Sequence, residues 1–223
     1  MEEMTGPRIA FLHTGAVVIA PVMDLARELL PDATAINYLD DKIVADLADP
    51  ARAASVPDRV AGLVEAARTA GADVVMLTCS SISHLAAPTG DRVGVPVLRI
   101  DEAMADQAVG LGGRIAVLAT LPTTCAPTTA LIRERAEAAG AAPTITSEVI
   151  DGAFAAVAGG DRATHDRLVG AAIERVAAEA DVVVLAQASM AGAAEAVQVG
   201  VPVLTSLAPG IGRLREVVAG VRP

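Results

Sequence analysis

Across 223 residues, 27 acidic side chains outweigh 17 basic ones, for a formal net charge of −10 with no basic run, which argues against nucleic acid or an anionic membrane surface as a partner. Hydrophobic residues reach 53%, but one Tyr, two Phe and no Trp leave Ala, Val and Leu to fill the core and provide no aromatic platform for stacking bases or sugars. Cys79 and Cys125 are not needed as a staple at this size, and "AVVIAPVM" is too short and proline-broken to span or target a membrane, so a cytoplasmic protein with reduced thiols is expected.

In chain order, apolar β-branched runs alternate with Ala/Leu/Glu/Arg segments of helical period. Strands are predicted near 8–14 ("RIAFLHT"), 34–38, 73–78 ("DVVMLT"), 95–99, 114–120 ("RIAVLAT"), 144–149, 181–186 ("DVVVLA") and 202–205. Helices are predicted near 20–30, 57–70, 101–109, 125–139, 163–179, 190–198 and 209–219. Strands apolar on both faces, separated by helices, predict an α/β protein with parallel sheets covered by helices.

The chain also repeats itself. "RIAFLHT" begins at Arg8 and "RIAVLAT" at Arg114; "ADVVMLTCSSI" begins at Ala72 and "ADVVVLAQASM" at Ala180; "GVPVL" begins at Gly94 and again at Gly200. Three blocks in one order at nearly constant offset predict two pseudosymmetric lobes, each a short parallel sheet flanked by helices. The expected division is 1–99 plus 207–223 for the first lobe and 100–206 for the second, the last helix returning to the first. Ligands of open parallel sheets bind beyond the carboxyl ends of the strands, so the active site is expected in a cleft between the lobes. The repeat pairs His13 and Thr14 with Ala119 and Thr120, and Cys79 with Gln187.

Other motifs carry less. In "GLGGRIA" the glycines precede a strand, the wrong order for a dinucleotide fingerprint, and "APGIGRL" lacks the full spacing and the Lys-Ser/Thr of a phosphate loop. No spacing of His, Cys, Asp and Glu suits a metal, so neither metal nor cofactor is expected. His165 in "DRATHDRL" reads as part of a solvated helix, His84 as a surface or core side chain, and Cys125 in "PTTCAPTT" as structural.

The strand-Cys-small-small pattern on repeated lobes resembles the aspartate/glutamate racemase superfamily, which includes hydantoin racemases, maleate isomerases and arylmalonate decarboxylases. The resemblance rests on "TCSSIS" (78–83), "ATLPTT" (119–124), "LAQASMA" (185–191) and the acidic "NYLDDKIV" (37–44), and covers essentially the whole chain. It implies cofactor-independent chemistry at a carbon next to a carboxylate, in which the family's racemases use one cysteine on each face. It also implies a hydroxyl-rich carboxylate site, matched here by Thr14, Thr120, Thr123 and Thr124, with Ser80, Ser81, Ser189, Gln187, Met190 and Asp41 as further substrate-binding residues.

A carbon acid needs a poised base and donors already in place for the enolate oxygen. Cysteine suits this, because its pKa of ~8.5 falls at a helix N-terminus or beside a cation. Cys79 is therefore the expected catalytic thiol, with Ser80 and Ser81 available to cap the helix that comes next. Gln187 departs from the family pattern, since an amide has no useful pKa near neutrality. Three mechanisms remain open. Cys79 can serve one face while Gln187 binds a carboxylate or enediolate, as in a tautomerase or decarboxylase. His13, at a strand's carboxyl end, can replace the missing thiol. Alternatively, Cys79 can act as a nucleophile in a hydrolase. A racemase- or isomerase-type proton transfer on a small carboxylate is the leading expectation, a non-catalytic ligand-binding protein is the rival from another class, and a homodimer is plausible.

Overall fold

The structure is a computed structural model and describes residues 6–221. The chain divides into two compact units: one runs to Ile100 and resumes from Leu207, and the other is Asp101–Ser206. Each contains a four-stranded, wholly parallel sheet.

In the first unit the strands are β1 (Arg8–His13), β2 (Thr34–Leu39), β3 (Val74–Leu77) and β4 (Val97–Arg99), in the order β2-β1-β3-β4. Its helices are α1 (Ile19–Leu29), α2 (Ile43–Leu47), α3 (Pro50–Ala53), α4 (Val56–Thr69) and α5 (Ala86–Val93). In the second unit, α6 (Glu102–Leu111) precedes β5 (Arg114–Ala119), α7 (Pro122–Ala138), β6 (Thr144–Val149), α8 (Ala153–Ala158), α9 (Arg162–Ala177), β7 (Val182–Leu185), α10 (Ala191–Ala196) and β8 (Val203–Leu204). The order β6-β5-β7-β8 reproduces that of the first sheet. The closing helix α11 (Leu207–Val221) packs on α1, as α6 packs on α7. No helix among the described residues is long and apolar enough to cross a membrane.

Alternation along the strands builds the cores. Ala10, Leu12, Val75 and Leu77 face Val56, Val60 and Val64 of α4. The equivalent Ala116, Leu118, Val183 and Leu185 face Val169, Ala172 and Ile173 of α9. The opposite face of the second sheet, through Ile115, Val117, Val182 and Val184, buries Met104 of α6 with Leu131 and Ile132 of α7. Strands covered on both sides must be apolar throughout, which is why they read as continuous runs.

The repeated motifs have structural work. Arg8 N–H donates to the Asp73 carboxylate at 2.7 Å while Asp73 N–H donates to Arg8 C=O at 2.8 Å. Arg114 and Asp181 exchange the same pair of bonds at 2.9 and 2.8 Å, so each Arg/Asp couple fixes the register at which β1 meets β3 or β5 meets β7. The prolines of "GVPVL" accept the matching N–H groups, Val75 to Pro96 and Val183 to Pro202, both at 2.9 Å.

The glycine motifs are packing devices. A Cβ at Gly112 would lie 2.5 Å from the Cβ of Asp181, and one at Gly210 would collide with the carbonyl oxygen of Ile100. Gly210 thereby lets α11 seat directly on backbone. Gly210→Ala should lower unfolding stability in urea by about 1–3 kcal/mol through this collision. Gly212→Ala, two residues along with open space around its Cβ, should be neutral or stabilising by up to about 1 kcal/mol. Equal effects at the two positions would contradict the packing argument.

Candidate functional site

At the carboxyl end of the first sheet, three strands meet on one side chain. His13 ends β1 with no exposed surface. Its Nδ1 lies 2.8 Å from Thr78 Oγ1, and its Nε2 lies 2.8 Å from Asn37 Oδ1 on β2. An amide oxygen only accepts, so Nε2 carries a proton and donates. The Thr78 hydroxyl has one proton and two acceptors in reach, Leu12 C=O at 3.0 Å and His13 Nδ1. Burial pushes the ring's pKa below its ordinary value of 6.5, with the Asn37 bond opposing in part. The neutral ring therefore accepts the Thr78 proton at Nδ1 while donating to Asn37 at Nε2. Expected as an acid or base, His13 has neither a free nitrogen nor an exposed edge.

Cys79 comes directly after Thr78 and is partly exposed, its buried portion resting on the apolar cluster beneath α4 and α5. Its carbonyl accepts from Ile82 N–H at 3.2 Å, closing a turn. The helix expected immediately after the thiol starts later, with a 3-10 turn at Ser83–Leu85 and then α5. The N-cap positions of these segments are Ile82 and Leu85, without side-chain caps, so Ser80 and Ser81 do not fill the expected role there. Both serines are buried, as is Thr14. Asp40 is bound by Arg59 and by Lys42 N–H, which makes it part of the scaffold, whereas Asp41 is exposed in the turn before α2.

Sequence reasoning missed Arg99. It ends β4 in register with Leu77 and donates to Ser83 Oγ at 3.2 Å, putting a cation at the same sheet end as the thiol. The signal was present: the first "GVPVL" is followed by Arg99, the second by Thr205.

The second unit is built differently at the matching positions. Gln187 stands where Cys79 does, and Met190 N–H donates to Gln187 C=O at 3.1 Å, reproducing the 79–82 turn. Its side-chain oxygen accepts from Thr120 N–H at 2.6 Å and from Thr120 Oγ1 at 3.0 Å. Thr123 and Thr124 open α7, where Thr123 Oγ1 is a buried atom with no hydrogen-bond partner. Ser189 is half-buried in the 3-10 turn Ala188–Met190. Met190, expected to touch substrate, instead has no exposed surface and packs in the core beneath α9 and α10. His165 is also buried, not solvated, with Nδ1 bonded to Asp166. Cys125 is buried in α7.

Two parallel sheets, with chemistry concentrated where β1, β3, β5 and β7 end, are matched over residues 12–212 by the pattern describing the Asp/Glu/Hydantoin racemase family. The chain belongs to that family. Among curated proteins none matches it. Among solved structures, a glutamate racemase isoform from Bacillus anthracis is similar with a TM-score of 0.77 at 16% identity, covering 97% of this chain and 83% of that one. An aspartate racemase homologue from Pyrococcus horikoshii gives 0.72 at 15% identity, covering 95% and 99%. A double variant of arylmalonate decarboxylase, one glycine changed to cysteine and one cysteine to serine, gives 0.63 at 24% identity, covering 97% and 96%. At these identities the likeness establishes the fold.

This racemase-family chain carries a titration that can be measured without a substrate. Below about pH 6.5 an unfolded imidazole binds a proton that the buried His13 resists, so the unfolded state binds more protons and stability falls as pH drops. Lowering the pH from about 7.5 to about 5.5 should lower the wild-type Tm more than that of His13→Gln, which has no proton to take up. Equal drops in the two proteins would show that His13 is not the resisting group.

Proposed function

We propose that this chain is a cofactor-independent enzyme acting at the carbon alpha to a carboxylate, with Cys79 moving a proton on one face of that carbon. The observation that carries this reading is the contrast between two equivalent positions. Cys79 is partly exposed after β3, while Gln187, after β7, is a neutral amide held by Thr120. An acid-base group therefore exists at only one of the two, because an amide does not titrate near neutrality. Cys125 is buried in a helix and does not substitute for a second thiol.

In the proton-transfer step, the Cys79 thiolate takes the α-proton, and the electron pair left on carbon spreads into the carboxylate as an enediolate. The same thiol then returns the proton to the same face, at that carbon or at a conjugated one. Return at a conjugated carbon gives a net isomerisation with one base, whereas return at the original carbon only exchanges its proton with solvent. Hydrogen-bond donors of the right chemistry for the carboxylate stand at the strand ends of the first unit, at Arg99, Thr14, Ser80 and Ser81; the second unit carries Thr120, Thr123 and Thr124 at its own strand end as further candidates. Gln187 contributes an amide donor, Ser189 a hydroxyl, and Asp41 contacts a polar group of the substrate. Donors held in place before reaction stabilise the developing charge most effectively.

A second reading draws on the same single thiol. In a decarboxylation, the bond to the departing carboxylate breaks, CO2 leaves, and the Cys79 S–H protonates the enediolate from one face. The likeness in fold to arylmalonate decarboxylase supports keeping it.

Proton NMR in D2O with amino acids, hydroxy acids, malonates and unsaturated diacids tests both. Wild type should introduce deuterium at an α-carbon in a single configuration, with CO2 release marking the decarboxylase. Cys79→Ser should slow the exchange by about 10²–10⁴-fold. Gln187→Cys, which adds a second acid-base group, should erode the configurational purity of the product. Full activity in Cys79→Ser would remove the thiol from the mechanism.

A further inference from the structure

We propose that His13 is a positioning residue: its ring ties the carboxyl ends of β1, β2 and β3 together and, through Thr78, fixes the direction in which Cys79 leaves the sheet. The ring reaches Thr78, 65 residues away, and Asn37, 24 residues away, with both contacts at 2.8 Å. Thr78 is also held on Leu12 C=O by its N–H at 3.0 Å, and its hydroxyl oxygen lies 3.0 Å from the same carbonyl. Phe11 lies beside the ring, with centroids 6.3 Å apart and planes 24° from parallel. Asn37 Nδ2 in turn reaches Met23 Sδ of α1 at 3.3 Å. Successive residues at a strand end point to opposite faces. Anchoring Thr78 on the ring's side therefore directs Cys79 to the other, where it rests on the cluster under α4 and α5.

The second unit supplies an internal comparison. By strand register and repeat, His13, Thr78 and Asn37 correspond to Ala119, Ala186 and Ser147, and no ring bridges those strand ends. The difference arises from what each terminal side chain can do for itself. Gln187 is oriented by its own oxygen, which accepts two bonds from Thr120. A thiol is a weak donor and a weak acceptor, so its direction must be imposed by the backbone before it. The unit that ends in a thiol has the imidazole anchor, and the unit that ends in an amide lacks it.

The effect on turnover rests on the function proposed above; the effect on the thiol's reactivity does not. Iodoacetamide labelling followed by peptide mass spectrometry measures Cys79 against buried Cys125 in the same molecule. Thr78→Val, which keeps the shape and removes the hydroxyl, and Asn37→Ala, at an exposed edge-strand position that tolerates substitution, should each speed Cys79 labelling about threefold or more with Cys125 unchanged. Thr78→Ser should restore the wild-type ratio. On any substrate the wild type turns over, Thr78→Val should lower kcat about tenfold or more with KM little changed, as misdirection of a reacting group does. An unchanged Cys79 rate in both Thr78→Val and Asn37→Ala would overturn the proposal. So would Cys79 and Cys125 rising together, the mark of general loosening. A changed labelling ratio without detectable proton exchange on any substrate would support the positioning role while counting against the proposed reaction.

Discussion

The last rung of each parallel ladder decides what this molecule can do. Thr78 N–H donates to Leu12 C=O at 3.0 Å, and Ala186 N–H donates to Leu118 C=O at 2.9 Å. Neither donor belongs to the strand proper, since β3 ends at Leu77 and β7 at Leu185, so each bond holds one residue past the regular sheet. The next residue is the first beyond the ladder. In one unit it is Cys79, in the other Gln187. Upstream, each rung depends on its register, which the reciprocal Arg8–Asp73 and Arg114–Asp181 bonds set at the opposite end of the strands.

From that common frame the two units solve different problems. A carboxamide carries strong donors and acceptors, and one threonine suffices to hold it. A thiol carries neither, and its neighbourhood must be rigid instead. The buried imidazole meets this need because a neutral ring can accept at one nitrogen and donate at the other, linking an interior hydroxyl to an amide on the exposed edge strand. Such a network stabilises only when every member is satisfied, and a ring with no exposed surface has no water to fall back on. The same burial that lowers the pKa of His13 makes it a poor carrier of protons to a substrate.

The central strands β1, β3, β5 and β7 were legible because burial on both faces turns each into an apolar run, while the partly exposed edge strands β2 and β6 were legible from their place between helical segments. The helices that escaped notice are short or carry breakers: α2 and α3 lie in an acidic stretch interrupted by Pro50, and α8 is six residues ending at Gly159 and Gly160, while α5, expected directly after the thiol, starts only at Ala86. At the site, the repeat paired Cys79 with Gln187 and Thr14 with Thr120. The bonds of His13 to residues 65 and 24 positions away are tertiary facts that no local pattern encodes. His165 was readable and misread. Its spacing to Val169, Ala172 and Ile173 is that of one helical face, and all four are buried on α9. The polar string "DRATHDRL" outweighed the period.

The sheet order and its register-setting contacts are duplicated, while the units differ in the short helices after β2 and β6 and in the side chains at and just past the strand ends. The Arg/Asp couples, the "GVPVL" carbonyls, the closing turns at 79–82 and 187–190, and the helix pairs α1–α11 and α6–α7 are common to both units. Exchanging a thiol for an amide at position 187 disturbs none of these, because the amide's demands are met by Thr120, a neighbour the repeat also provides as Thr14 in the first unit. Removing the imidazole anchor is equally harmless there, since Ala119 and Ala186 fill its place with small apolar groups that leave no polar atom unsatisfied. The scaffold therefore accepts either a thiol or an amide at this strand end without altering the fold, so the fold alone does not fix the chemistry.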